Sequence, residues 1–365
     1  MKRILHITYS LDRNGTETFI MNVWRNIDHG RFMFDFLVNK VSEEGFTDEV
    51  RDMGSEIYQF PKRNKGIRNQ IRQLDAFFKE NAGKYAAVHY SANSFTNIMP
   101  VIMAKKYGIP VRIVHSHNTS TSGLHNRLLH RLNRKRIGDI ATHYLACGRE
   151  AAEWGYKGSS VYGKALVVPN GIELDKFRYD ANKRSDTRQN LGIADSTTVV
   201  GNTAAFRAVK NHQFLINIFE EIKAIEPDSV LLLCGAGDTE AETRKLVKAK
   251  GLEDSVRFLG VRTDIDSLLS AMDVYVFPSL YEGLPFALIE AQAAGLPILA
   301  SDTISPEIDL TPYIHFMSLN QTAKEWAEKA VSMRNSERKG EIHEGLTPYD
   351  INTTCRILEE IYSLR

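Results

Sequence analysis

Glu282 and Glu290 stand eight positions apart in the stretch PSLYEGLPFALIEAQAAGLPILAS, residues 278–301, with Gly283-Leu284-Pro285 between them. The run VYVF at 274–277 has the length and the β-branched and aromatic content of a buried strand. Pro285 suits the first turn of a helix, where its missing N–H is not needed, and Gly295 suits the position after the last turn. The stretch therefore reads as strand, loop, helix, strand. Ligands of an open parallel sheet bind beyond the carboxyl ends of its strands, which is where Glu282, Gly283 and Leu284 would sit. Glu290 falls about a turn and a half into the helix, so two carboxylates at different heights could accept hydroxyls from one polyol. For either residue alone, the competing reading is a helix cap or a solvated glutamate.

Other chemistry-bearing residues also fall just after expected strands. Arg207 and Lys210 follow a strand at 198–202 and precede a helix beginning near Gln213; an arginine fork and a lysine point charge there could hold a diphosphate. Two solvated loop cations are the alternative. Gly15 follows a strand at 4–8 and would let the backbone approach a phosphate at a helix N-terminus, or it is a turn glycine with Thr16 or Thr18 as cap. His115 and His117 share one face of an extended chain after a strand at 111–114. No third ligand stands nearby to make them a metal pair; they could bind a sugar, steer a proton, or be structural. Gly235-Ala-Gly-Asp lacks the third glycine of a dinucleotide fingerprint, and the backbone after Gly260 could read a base edge.

The elements that must position these groups alternate. Strands are expected at 4–8, 34–38, 57–60, 87–90, 111–114, 142–147 and 165–168, with helices at 46–53 and 67–80 among them, which predicts a parallel sheet covered on both faces. A polar, exposed segment at 180–186 suggests a linker, after which strands resume at 198–202, 230–234, 256–259 and 274–277. An apolar spacing over 349–364 predicts a terminal helix. A chain of 365 residues exceeds what one core usually serves, and 43% hydrophobic with 25% charged residues is ordinary for a globular protein.

The net charge of +1 conceals an excess of ten positive charges over residues 1–170 and of nine negative charges after them. The basic runs PKRNKGIRNQIR at 61–72 and HNRLLHRLNRKRI at 125–137 carry much of the first. In the second, Leu128, Leu129 and Leu132 lie on one side. Without interleaved aromatics the runs do not read as nucleic-acid binding; docking on anionic lipid headgroups fits them, as does a solvated helix face. No run approaches the length of a membrane span, so membrane contact would be peripheral. MKRILHITYS at the start reads as a first strand rather than a signal peptide. Cys147, Cys234 and Cys355, odd in number and widely spaced, suit a reducing cytoplasm.

In order, NGTETFIMNVWRNID, HSHNTSTS, PNGIE, VKNH, CGAGD, VRFLG and the paired glutamates Glu282 and Glu290 resemble the motifs of glycosyltransferase family 4, more narrowly its capsular and exopolysaccharide branch. The resemblance spans nearly the whole chain. It implies an α/β GT-B fold, two Rossmann-like domains with parallel sheets facing across a cleft. The divisions are 1–170 for the acceptor, 171–345 for the nucleotide sugar, and 346–365 as a helix crossing back onto the first domain.

It further implies that Glu282 meets the transferred sugar beside the N–H groups of Gly283, Leu284 and Phe286, that Glu290 holds the ribose, and that Lys210 holds the diphosphate. Gly15 would then close over that diphosphate, and His117 would lie near sugar and acceptor. Two positions depart from the family: Asn14-Gly15-Thr16-Glu17 stands where two glycines usually precede Ala-Glu, and Ala205 stands where an arginine is usual. Arg207 is the candidate replacement, which makes Glu282, His117, Lys210 and Arg207 the catalytic set. The implied activity is retaining transfer from a nucleotide-diphosphate sugar, with uridine diphosphate expected, to a glycan or lipid-linked saccharide. Neither metal nor further cofactor is implied. A nucleotide-sugar epimerase of the same fold and a non-catalytic donor-binding subunit are the alternatives.

Overall fold

The computed structural model describes residues 1–41, 45–61, 66–334 and 337–364; residues 62–65 of the basic run at 61–72 lie outside the described residues. The chain divides into two units, Met1–Gly171 with Pro348–Arg365, and Ile172–Thr347. In the first, β1 (Lys2–Thr8), β2 (Phe32–Val38), β3 (Ile57–Gln59), β4 (Tyr85–Ala92), β5 (Val111–Ser116), β6 (His143–Ala146) and β7 (Leu166–Val167) form a sheet in the order β3-β2-β1-β4-β5-β6-β7. In the second, β8 (Thr198–Asn202), β9 (Ser229–Leu233), β10 (Val256–Phe258), β11 (Val274–Phe277), β12 (Ile298–Ser301) and β13 (Ile314–Met317) take the order β10-β9-β8-β11-β12-β13. Neighbouring strands in both sheets run parallel.

Both units are thus doubly wound. The strand order reverses between β1 and β4 in one and between β8 and β11 in the other, and such a switch point opens a crevice at the carboxyl ends of the strands. The strands read as continuous apolar runs because helices cover both faces: every residue of β8, β9, β11 and β12 is buried. In the second unit Val200, Leu231, Leu233, Val274, Val276 and Leu299 pack with Leu215 and Phe219 of the helix His212–Ile225 and Trp326 of the helix Ala323–Met333.

The polar segment expected as a linker is a helix, Ala181–Asn190, in which the Asp180 side chain accepts from the N–H groups of Asn182 and Lys183. Arg184 and Arg188 on that helix each lie 2.7 Å from a carboxylate oxygen of Asp273. Polar composition misleads here because long cationic side chains reach across to a neighbouring element while remaining hydrophilic in sequence.

The terminal helix Ile351–Ser363 belongs to the first unit and packs on the helix Gly15–Asn26. Lys2 Nζ donates to Ser363 O at 2.7 Å, and Arg31 pairs with Glu359 at 3.0 Å. A Cβ at Gly171 would lie 2.4 Å from Thr354 Oγ1, so the close approach of this helix requires glycine in the PNGIE motif.

Candidate active site

In the second unit, Lys210 follows β8 and Glu282 follows β11, so the two flank the switch point. Two ties hold their loops together. Asn211 Nδ2 donates to Pro278 O at 3.1 Å, and Leu280 N donates to Val209 O at 2.8 Å. Asn211 has φ +56°, the left-handed conformation that asparagine tolerates better than most residues. It ends the turn Ala208–Lys210 and starts the helix His212–Ile225. With the loops so joined, Lys210 Nζ lies 2.6 Å from Glu282 Oε1, both side chains 17% exposed. The ammonium also sits 4.9 Å from the centre of the Phe277 ring, a cation–π contact. Glu282 O accepts from Ser305 N at 2.9 Å, fixing the loop against the exit of β12.

Pro285 stands one position before the helix Phe286–Ala293 rather than inside its first turn, and Phe286 opens the helix. First-turn N–H groups have no intrahelical acceptor, and Phe286 carries the first of them in this helix. The helix closes on Gly295, φ +59°, with Leu296 N donating to Ala291 O at 3.1 Å and Gly295 N to Gln292 O at 2.9 Å, the paired pattern of a glycine C-cap. Glu290 is half-buried in this helix. Burial pushes its carboxyl up to about 7, with Lys176 opposing the shift and Asp266 adding to it.

Arg207 lies on the turn before Lys210 with its side chain exposed, and Lys210 N donates to Arg207 O at 2.9 Å. The glycines of CGAGD have a structural reason. Gly235 and Gly237 have φ of +149° and +154°, and a Cβ on them would lie 2.3 Å from Ala204 O and 2.4 Å from Phe206 O. Phe206 N donates to Ala236 O at 3.1 Å. The two loops therefore pack backbone to backbone, with Ala205 between the touching carbonyls.

In the first unit, Gly15 begins its helix at the carboxyl end of β1, and a Cβ there would meet nothing within 4 Å. Thr16 Oγ1 donates to Asn93 Oδ1 at 2.9 Å, joining this loop to the exit of β4. Thr8 Oγ1 donates to Glu17 Oε1 at 2.9 Å; the buried Glu17 carboxyl is raised by burial, partly offset by that bond. Phe19 of the same helix lies 5.0 Å from the rings of both His115 and His117.

His117 Nε2 is buried without a hydrogen-bond partner among the described residues, and burial holds the imidazole down to about 3. Behind it runs a buried column that no sequence pattern announces. The His115 and His117 rings are 3.9 Å apart, His115 Nδ1 is 3.1 Å from His89 Nε2, and His89 Nδ1 is 2.6 Å from the Tyr362 hydroxyl. His6 lies beside His89, 4.8 Å between ring centres. Among the described residues no group of three or more His, Cys, Asp or Glu side chains could hold a metal ion.

The geometry thus brings together Lys210, Glu282, Gly283, Leu284 and Phe286, with Glu290 further along the helix and Arg207 at the start of the turn. Gly15 and His117 stand at strand ends of the other unit. Ser305 goes unmarked in sequence, while Asn211 enters only within VKNH and Phe277 only within the strand run VYVF.

Two doubly wound units with polar side chains at both switch points define an α/β class of protein whose ligands sit beyond the carboxyl ends of the strands. Residues 183–311 match the family Glycosyl transferases group 1. The chain is 33% identical over 335 residues to EpsF of Bacillus subtilis (strain 168), a protein named as a glycosyltransferase, covering 90% of this chain and 86% of EpsF. It is 29% identical over 248 residues to the Escherichia coli UDP-Gal:alpha-D-GlcNAc-diphosphoundecaprenol alpha-1,3-galactosyltransferase, covering 66% of this chain and 64% of that one. The crystal structure of Anabaena Alr3699/HepE in complex with UDP-glucose shares the fold at a TM-score of 0.80 and 18% identity, covering 100% of both chains. The chain belongs to the group 1 glycosyl transferases, within glycosyltransferase family 4, and is a glycosyltransferase of the GT-B fold.

Proposed function

We propose that the protein transfers a sugar, with retention, from a uridine diphosphate sugar to a saccharide carried on a lipid-linked diphosphate, in capsular or exopolysaccharide assembly at the cytoplasmic face of a membrane. The observation that carries the donor half is the Lys210–Glu282 pair at the β8/β11 switch point. A cation suited to a diphosphate and a carboxylate suited to sugar hydroxyls stand in contact, with the Phe286 helix start beside them. As the bond to the anomeric carbon breaks, negative charge builds on the departing diphosphate. Lys210, Arg207 and the donors around Gly283, Leu284 and Phe286 stabilise it, and preorganised donors of this kind are usually the largest catalytic contribution. Glu290 holds the ribose, and in the first unit His117 serves the acceptor. The E. coli relative's name gives a UDP-sugar donor and a diphosphoundecaprenol acceptor, which supports the acceptor half.

A donor panel read by sugar release to water, with and without added acceptor, tests this reading. A uridine diphosphate sugar turned over slowly alone and faster with a diphospholipid-linked saccharide is the expected result. An epimerised donor, or donor binding with no turnover under either condition, would contradict it.

A further inference from the structure

The contact between Lys210 and Glu282 couples the two groups that a nucleotide-diphosphate sugar would engage separately. Lys210 Nζ is 2.6 Å from Glu282 Oε1. The ammonium is close but not aligned to donate: Oε1 is buried and accepts no hydrogen bond among the described residues. A carboxylate oxygen in that state suits a hydroxyl donor. The pair is not needed to join its loops, which are already tied by Leu280 N to Val209 O at 2.8 Å and by Asn211 Nδ2 to Pro278 O at 3.1 Å. Nor can the backbone of Glu282 retreat. Its carbonyl accepts from Ser305 N at 2.9 Å, and it pairs with Ile304 in a parallel bridge. A phosphate settling on Lys210 therefore faces Glu282 at close range.

Substrate and product differ in charge at that point. In a sugar nucleotide the outer phosphate is a diester with one negative charge, and the sugar behind it carries hydroxyls that can donate to a carboxylate. Transfer breaks the bond from the anomeric carbon to the phosphate oxygen, and that oxygen stays with uridine diphosphate. The acceptor oxygen bonds the anomeric carbon and its proton departs. The outer phosphate is then a monoester, with a charge of about −1.5 to −2 at pH 7. A negative charge has been added beside Glu282, and the hydroxyl donors have left with the sugar.

We propose that Glu282 is the residue by which the site discriminates donor from spent nucleotide. Toward the donor it accepts sugar hydroxyls while Lys210 turns to the diphosphate. Toward uridine diphosphate it is a like charge held in place, and it competes with the product for Lys210. Glu282 thus weakens product binding and speeds product release as well as orienting the sugar. The inference rests on the reading of Lys210 and Glu282 as the donor site and adds which of its two nucleotides that site favours.

Calorimetric titration of the full chain with uridine diphosphate, with its outer-phosphate methyl ester and with the sugar nucleotide selected by the donor panel tests this. Glu282→Gln keeps the shape and removes the charge. It should bind uridine diphosphate about tenfold tighter than the wild type and the methyl ester, one charge poorer, only about threefold tighter. The sugar nucleotide should bind about tenfold more weakly, its hydroxyls having lost a charged acceptor. Glu282→Asp keeps the charge and should bind uridine diphosphate as the wild type does. Opposite changes for product and donor are not what a merely structural residue would give. Uridine diphosphate bound no tighter by Glu282→Gln, a gain as large for the methyl ester or the sugar nucleotide, or the same gain in Glu282→Asp overturns the inference and leaves the donor site standing. No binding of uridine diphosphate to any form overturns both.

Discussion

At the scale of single residues the account turns on how the cations and carboxylates of the second unit divide the donor between them. Ala205 leaves one expected cation out, and the backbone packing of residues 204–206 against Gly235–Gly237 shows why the loop itself is still in place. Arg207, just before the turn that carries Lys210, is the second cation there. Arg207→Ala should lower turnover by roughly 10²–10³-fold, as loss of one preorganised charge contact does elsewhere; full activity in a steady-state assay would remove Arg207 from the mechanism. Glu290 supplies a pH test. Its folded carboxyl is raised to about 7 against 4.5 unperturbed, so the stability it contributes is present below about 4.5 and lost as pH rises through 7. Glu290→Gln should therefore raise thermal stability more at pH 8 than at pH 5, and equal gains at both values would argue against a buried carboxylate there.

At the scale of elements, the site is made by two loops tied at Asn211 and Leu280. Asn211→Ala forfeits the bond to Pro278 and strains the left-handed backbone, a cost of about 1–3 kcal/mol. Asn211→Gly keeps the conformation and loses only the bond. The alanine variant should melt lower than the glycine variant while both lose turnover, and identical melting of the two would place no strain at this position. Much at this scale was legible in sequence. Strands β8 and β11 fall where apolar runs put them, because buried parallel strands are short apolar runs with sharp ends. The placement of Lys210 near Glu282 was legible only through resemblance, since the strand order that makes β8 and β11 neighbours leaves no local trace. The 180–186 segment was misread for a related reason: polarity and spacing report which side chains tolerate water, not which neighbouring element covers them.

At the scale of the whole molecule, the terminal helix returns to the first unit and ends the column Tyr362–His89–His115, with His6 and His117 beside it. Chain positions as far apart as His6 and Tyr362 meet there, which is why no motif foretells it. His6 and His117 are held down to about 3, and His89 and His115 well below their ordinary value, in each case chiefly by burial. An unfolded imidazole takes its proton near 6.5. The stability these groups contribute is present above that pH and lost as pH falls from 6.5 toward 3. Hydrogen exchange across this range should show protection falling in Met1–Gly171 before it falls in Ile172–Thr347, and simultaneous loss would deny the column this role.

The central claim is that the second unit reads the donor in two parts, nucleotide by Glu290 and sugar by Glu282. Calorimetric titration of uridine diphosphate into the wild type, Glu290→Ala and Glu282→Ala tests it most directly. The account predicts binding in the wild type and Glu282→Ala, and its loss in Glu290→Ala. Undiminished binding in Glu290→Ala, or equal loss in both variants, would contradict it.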